Sequence, residues 1–163
     1  MNAIFSPCGQ YRYRLERDLG RAGPVVAMLG VNPSIANDDR DDQTIRKDIG
    51  FGARHGWSRL IKGNLFSLVS TDIKGLRQLE SGRDPVNDEH LRQIMLDADL
   101  VVACWGPPEK LPSHLRGRWR TVASIASKVG KPLHCLGITS AGHPRHTLTT
   151  AYAVPLTIWE RPA

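Results

Sequence analysis

Short apolar runs bounded by Gly, Pro and Asp alternate along the chain with segments whose apolar residues recur every three to four positions. The first pattern predicts strands and the second amphipathic helices. The clearest run, V-V-A-M-L at 25–29, is too short for a helix and reads as a strand buried on both faces. It breaks at Gly30 and again at Asn32-Pro33-Ser34, where Pro33 removes a backbone donor and pushes Asn32 toward an extended conformation. Upstream, residues 11–19 alternate, with Tyr11, Tyr13 and Leu15 on one side and Arg12, Arg14 and Glu16 on the other. That alternation predicts a half-buried strand at a sheet edge. Downstream, Asp38, Asp39, Asp41 and Asp42 precede a helical pattern, and Asp41 or Asp42 is placed to cap it at its positive end. Ile45, Ile49, Gly52 and Ala53 share one face, and Gly56 after His55 suits the left-handed cap. Gly50 and Gly52 weaken this helix by about 1 kcal/mol each relative to alanine, which makes sense where another backbone or a ligand packs close.

Residues 60–69 read as the next strand, with Asn64 near its middle or carboxyl end. Asp84-Pro85 is a cap followed by proline at the first helical position, and Leu91, Ile94, Met95 and Ala98 mark that helix's inner face. Residues 100–105 form another buried strand, stopped by Gly106-Pro107-Pro108. Leu115, Trp119, Val122, Ala126 and Val129 make a helical stripe that Gly130 ends. Residues 132–136 are a short strand and residues 154–159 a further strand candidate. Strands alternating with helices predict an α/β fold: a three-layer α/β/α sandwich around a mostly parallel sheet of four to five strands, one domain over 1–163. Ligands in such sheets sit outside the carboxyl ends of the strands. That rule gathers Asn32-Pro33-Ser34, Asn64, Trp105-Gly106 and His143-Pro144-Arg145-His146 at one end.

Composition adds limits. Apolar residues at 40% and charged residues at 23% are ordinary for a globular protein, and no apolar run approaches the length of a membrane span. The N-terminus lacks a signal-peptide core. Cys8, Cys104 and Cys135 are widely spaced and odd in number, which argues against a disulfide framework or a zinc module and for a reduced cytoplasmic setting. Charge is uneven: residues 1–106 hold 14 Lys/Arg and 14 Asp/Glu, while residues 107–163 hold 8 against 2, the whole excess of +6. Arg116, Arg120 and Lys128 fall mostly off the apolar stripe, so the expectation is a basic face contacting a nucleic-acid backbone; the plainer reading is a solvated helix face.

No G-x-G-x-x-G follows a strand, and neither a G-x-x-x-x-G-K-[ST] loop nor a G-x-S-x-G elbow occurs, so no cofactor is expected by those routes. G-V-N-P-S at 30–34 resembles the first motif of the uracil-DNA glycosylase superfamily, in particular the mismatch-specific branch with G-I-N-P-G. G-H-P-R-H-T-L at 142–148 resembles its second motif, H-P-S-P-L, and V-V-A-C-W-G at 101–106 resembles the strand V-V-F-x-L-W-G. The longer pattern L-G-V-N-P-S-x-A, D-D-x-T-I-R, N-L-F, W-G and H-P-R-H is similar to a bacterial and phage domain family of unknown function over nearly the whole chain. The superfamily resemblance implies a uracil-DNA-glycosylase-like fold, with Asn32 positioning the attacking water, His143 as the second-motif histidine and Asn64 in the place of the base-recognising asparagine. The chain departs from it at Ile35, where no aromatic residue follows the turn, and at Arg145 and His146, which take the place of small residues or proline in the glycosylases.

The residues make chemical sense together. Breaking an N-glycosidic bond needs a positioned water, a dry pocket and a donor aimed at charge growing on the departing base. Asn32 offers an amide oxygen for the water, His143 a neutral imidazole for the base oxygen, and Asn64 one donor and one acceptor for the base edge. Gly30, Pro33, Ser34, Trp105, Arg145 and His146 are expected around them. The expectation is therefore an enzyme directed at a nucleobase in a nucleotide or nucleic acid, with an extruded base in the pocket. Other readings stand beside it: Asn32 as a turn former, Trp105 as a core aromatic, or the whole as a non-catalytic nucleotide or nucleic-acid binding module. A further reading has Asp38, Asp39, Asp41 and Asp42, with His143 or His146, holding Mg²⁺ or Mn²⁺ for phosphoester hydrolysis.

Overall fold

A computed structural model describes residues 2–37 and 39–162. The run at 25–29 is the centre of the sheet. It forms β3 (Val25–Gly30), flanked by β4 (Arg59–Asn64) and β5 (Leu100–Ala103), both parallel to it. β6 (Leu133–Cys135) lies parallel beyond β5. Antiparallel strands close both sides: β2 (Arg12–Asp18) on β4, β1 (Asn2–Phe5) on β2, and β7 (Thr157–Ile158) on β6. The order is β1-β2-β4-β3-β5-β6-β7, seven strands rather than the four to five expected. β1 and β7 are four and two residues long, too short for a period to show in the sequence. β1 also covers β2, so β2 is not the edge strand that its alternation suggests.

Alternation along each strand sends neighbouring side chains to opposite faces. Val26 and Met28 pack with Phe51 of α1 (Gln43–His55), while Ala27 and Leu29 pack with α2 (Pro85–Asp97) and α3 (Arg118–Lys128). One helix therefore covers one face of the sheet and two cover the other. No helix among the described residues is long and apolar enough to cross a membrane.

The helix ends follow local chemistry. Asp42 Oδ1 accepts the Ile45 N–H at 2.8 Å, and Gly56, at φ 71°, closes α1 in the left-handed region. Asp84 caps α2 by accepting the Asn87 N–H, with Pro85 at the first helical position. Leu115 belongs to a separate 3₁₀ turn, Ser113–Leu115, and α3 begins after it. Gly50 and Gly52 lie against the Tyr152 hydroxyl and Leu19 Cδ1, so the close neighbours expected there are side chains rather than backbone or ligand.

The strand expected over 60–69 stops at Asn64. Beyond it, the Asn87 amide donates to the Asn64 and Leu65 carbonyls and Arg118 Nε donates to Leu65, which draws the chain off the sheet toward α2 and α3. Asn64 is thus the last residue of β4, in register with Gly30 at the end of β3. From β3 the chain moves to β4 on one side and then crosses to β5 on the other. The carboxyl ends of β3 and β5 therefore frame the topological switch point, where open α/β sheets bind ligands.

Candidate functional site

A cleft of about 680 Å³ opens there. The turn after β3 contributes Val31, Asn32 and Ser34, the start of α1 Asp42, Thr44 and Arg46, the turn after β5 Trp105 and Gly106, and the segment after β6 His146. Two buried arginines of β2 hold the first wall. Arg12 donates to the Ala36 carbonyl, and Arg17 donates to the Asn37 carbonyl and to Asp41 Oδ1 at 2.7 Å.

Each polar group in the cleft has a defined role in hydrogen bonding. Asn32 Nδ2 donates to the carbonyls of Pro33 at 3.0 Å and Ser70 at 2.7 Å, which fixes the amide and leaves Oδ1 as its unoccupied acceptor among the described residues. His146 Nδ1 accepts the Leu148 N–H at 3.2 Å, so the neutral imidazole carries its proton on Nε2. Burial, helped by the charge of Lys62, pushes His146 down to about 4. It is a neutral donor at neutral pH. Trp105 is buried edge-to-face against Trp159 at 5.3 Å, and its Nε1 donor has no partner among the described residues.

Under the cleft lies a buried ion pair. Lys62 Nζ is 2.7 Å from Asp48 Oδ2, with side chains 3% and 0% exposed, and 3.6 Å from Cys104 Sγ. Burial by itself would lower the Lys62 ammonium, but Asp48 outweighs it and holds the group at about 12. Burial pushes the Cys104 thiol up to about 12, and its S–H donates to the Leu29 carbonyl, so it is no thiolate nucleophile at neutral pH. Nothing in the reading of motifs singled out this pair, although the parity of the pattern holds it. Lys62 stands between Leu60 and Asn64 on the α1-facing side of β4, and Asp48 lies three residues beyond Ile45 on the buried face of α1.

The structure sorts the expected site residues. Asn32, Ser34, Trp105 and His146 line the cleft; Gly30 and Asn64 lie below it, around a small chamber. Pro33 is buried in the turn and does not line the cleft. His143 does not line it either. Its ring packs on Trp119 at 5.2 Å, edge to face, and burial lowers its pKa. The segment from 143 to 146 is extended, so residues an odd number apart point to opposite sides. His146, not His143, is the cleft histidine.

Arg145 lies outside the cleft and donates to the Ile138 carbonyl. Arg116 is held by the carbonyls of Leu111 and Glu109, also outside it. Arg120 stacks over Trp119 at 4.7 Å and, with Lys128, borders a groove between α2 and α3 that also holds Asp88 and Glu89. The cations at the cleft are instead Arg40, Arg46 and Lys110, none in an ion pair among the described residues. Of the aspartates, Asp38 lies outside the described residues and Asp39 is exposed. Asp41 is paired with Arg17, and Asp42 caps α1. Among the described residues no group of three or more His, Cys, Asp or Glu side chains is placed to hold a metal ion.

No curated protein and no solved structure matches the chain. A family model described as "Protein of unknown function (DUF1643)" matches residues 12–148, most of the chain, and the protein belongs to that family.

Proposed function

We propose that this protein is a nucleobase-directed hydrolase of uracil-DNA-glycosylase-like fold that breaks an N-glycosidic bond in the cleft between β3 and β5. One observation carries the reading: a fixed amide acceptor, Asn32 Oδ1, and a neutral imidazole donor, His146 Nε2–H, line the same cleft beside Trp105. Asn32 holds the attacking water through Oδ1. His146 hydrogen-bonds the departing base, the role that motif resemblance alone assigned to His143, and as a neutral donor it needs no proton from solution. Trp105 and Val31 supply apolar wall, and Arg40, Arg46 and Lys110 at the cleft are suited to the substrate's phosphates. The likeness of G-V-N-P-S to the first glycosylase motif supports the role of Asn32.

The test is base release. Purified protein is incubated with single- and double-stranded oligonucleotides containing uracil, hypoxanthine, xanthine or alkylated bases, and with the free nucleotides, in EDTA and in Mn²⁺. Strand scission at abasic sites and chromatography of free base are the readouts. Release in EDTA that falls by roughly 10²–10³-fold in Asn32→Ala and His146→Ala, but by far less in His143→Ala, is the expected result. Absence of release from every substrate overturns the hydrolase reading, and cleavage dependent on Mn²⁺ transfers the chemistry to the aspartate loop.

A further inference from the structure

Below Asn32 and His146 lies a chamber of about 30 Å³, room for one group the size of a water. Three deeply buried polar side chains line it: Arg12, Lys62 and Asn64, at 2%, 3% and 2% exposure. Donors outnumber acceptors among their free valences, the Asn64 Oδ1 acceptor lying beside Gly30 and Lys62. Asn64 Nδ2 and Arg12 Nε have no partner among the described residues. Lys62 Nζ has three protons, of which Asp48 takes one and Cys104, at 3.6 Å, engages a second weakly.

The charges favour an anion. Arg12 and Lys62 are two cations in the lining against one carboxylate, Asp42, whose Oδ1 is already occupied by the Ile45 N–H. Asp48 lies behind Lys62 and is not part of the lining. A buried donor without a partner costs about 1–3 kcal/mol, and two such donors beside an ammonium favour an acceptor oxygen in the chamber. The backbone leaves room for it. A Cβ on Gly30 would come within 2.8 Å of Asn64 Oδ1 and 3.2 Å of Lys62 Nζ, so only glycine there leaves both side chains in place.

We propose that this chamber is an oxyanion pocket, in which Lys62 and Asn64 bind one anionic oxygen of the ligand seated in the cleft above. Asp48 is its positioning residue, keeping the ammonium charged and aimed. The oxygen belongs to a carboxylate or to an ionised lactam; the second source rests on the nucleobase reading of the cleft and the first does not.

Sodium formate is the smallest carboxylate probe. The ¹⁵N-labelled full chain is titrated with formate against sodium chloride at matched ionic strength, and the Asn64 side-chain amide cross-peaks, assigned by their absence in Asn64→Ala, are followed. Formate is expected to shift them to saturation where chloride does not. Thermal stabilisation by formate is expected to be lost in Asn64→Ala and weakened at least tenfold in affinity in the folded double variant Lys62→Met/Asp48→Leu. No formate-specific shift, or unchanged formate affinity in both variants, overturns the pocket. Uracil, hypoxanthine and xanthine are then titrated in the same way. Bases that bind the wild type and both variants equally, with formate affinity also unchanged, overturn the pocket while leaving the nucleobase reading standing. Formate binding that both variants lose, in a protein that neither binds nor releases any base, upholds the pocket and sinks that reading.

Discussion

Lys62 Nζ and Asp48 Oδ2 meet at 2.7 Å between β4 and α1, with neither side chain reaching solvent to any useful extent. Such a pair is a poor source of net stability, because two desolvation costs offset the attraction, but breaking it strands a charge. Lys62→Met alone is therefore expected to destabilise the protein by about 3–5 kcal/mol, whereas Lys62→Met/Asp48→Leu is expected to lie near the wild type. Urea unfolding at neutral pH checks both. Asp48 holds Lys62 at about 12, above its value of roughly 10.4 in an unfolded chain. The stabilisation from this pairing is therefore fully present below pH ~10.4 and is lost as pH rises through about 12.

His146 has the opposite dependence. Burial places it at about 4, below the ~6.5 of an unfolded histidine. Above pH ~6.5 neither state is protonated at this site and no cost arises. Between ~6.5 and about 4 only the unfolded chain takes up the proton, so stability falls as pH drops through that window. His146→Gln is expected to remove this slope, read as the difference between the two proteins' unfolding free energies from pH 8 to pH 4. A difference that does not change with pH would show that His146 titrates normally.

Gly30 separates folding from ligand binding. The atoms that an added methyl group would meet are the ends of the Asn64 and Lys62 side chains rather than backbone. Gly30→Ala is therefore expected to fold, with destabilisation within about 1–3 kcal/mol for overpacking, and to fill the chamber. Formate stabilisation and base release should both fall by at least tenfold while the circular dichroism spectrum is kept. Unaltered formate binding in this variant would show that the chamber lies elsewhere.

Local chemistry explains what was legible in advance. The cap at Asp42, the left-handed Gly56 and the Asp84-Pro85 start each involve groups within about four residues of one another, and the apolar runs at 25–29 and 100–105 need no partner to be recognised. The loops that follow β3 and β5 were likewise placed correctly at one end of the sheet, because strand direction in a βαβ pattern dictates it. The motif puts His143 and His146 at the site together, whereas the cleft holds His146 and the His143 ring lies on Trp119, since a motif carries no information about which side of an extended segment a ring leaves from.

The sequence by itself thus determined the α/β class, the parallel centre of the sheet, the ends of α1, the start of α2 and the switch-point loops that carry Asn32 and Trp105. Only the tertiary structure decided the flanking strands, the histidine in the cleft, the cations around it and the union of Lys62, Asp48, Asn64 and Gly30 beneath it. The division has one physical cause. Periodicity and capping are set by neighbours along the chain, whereas a buried charge or an empty donor is defined by partners brought together from separate elements.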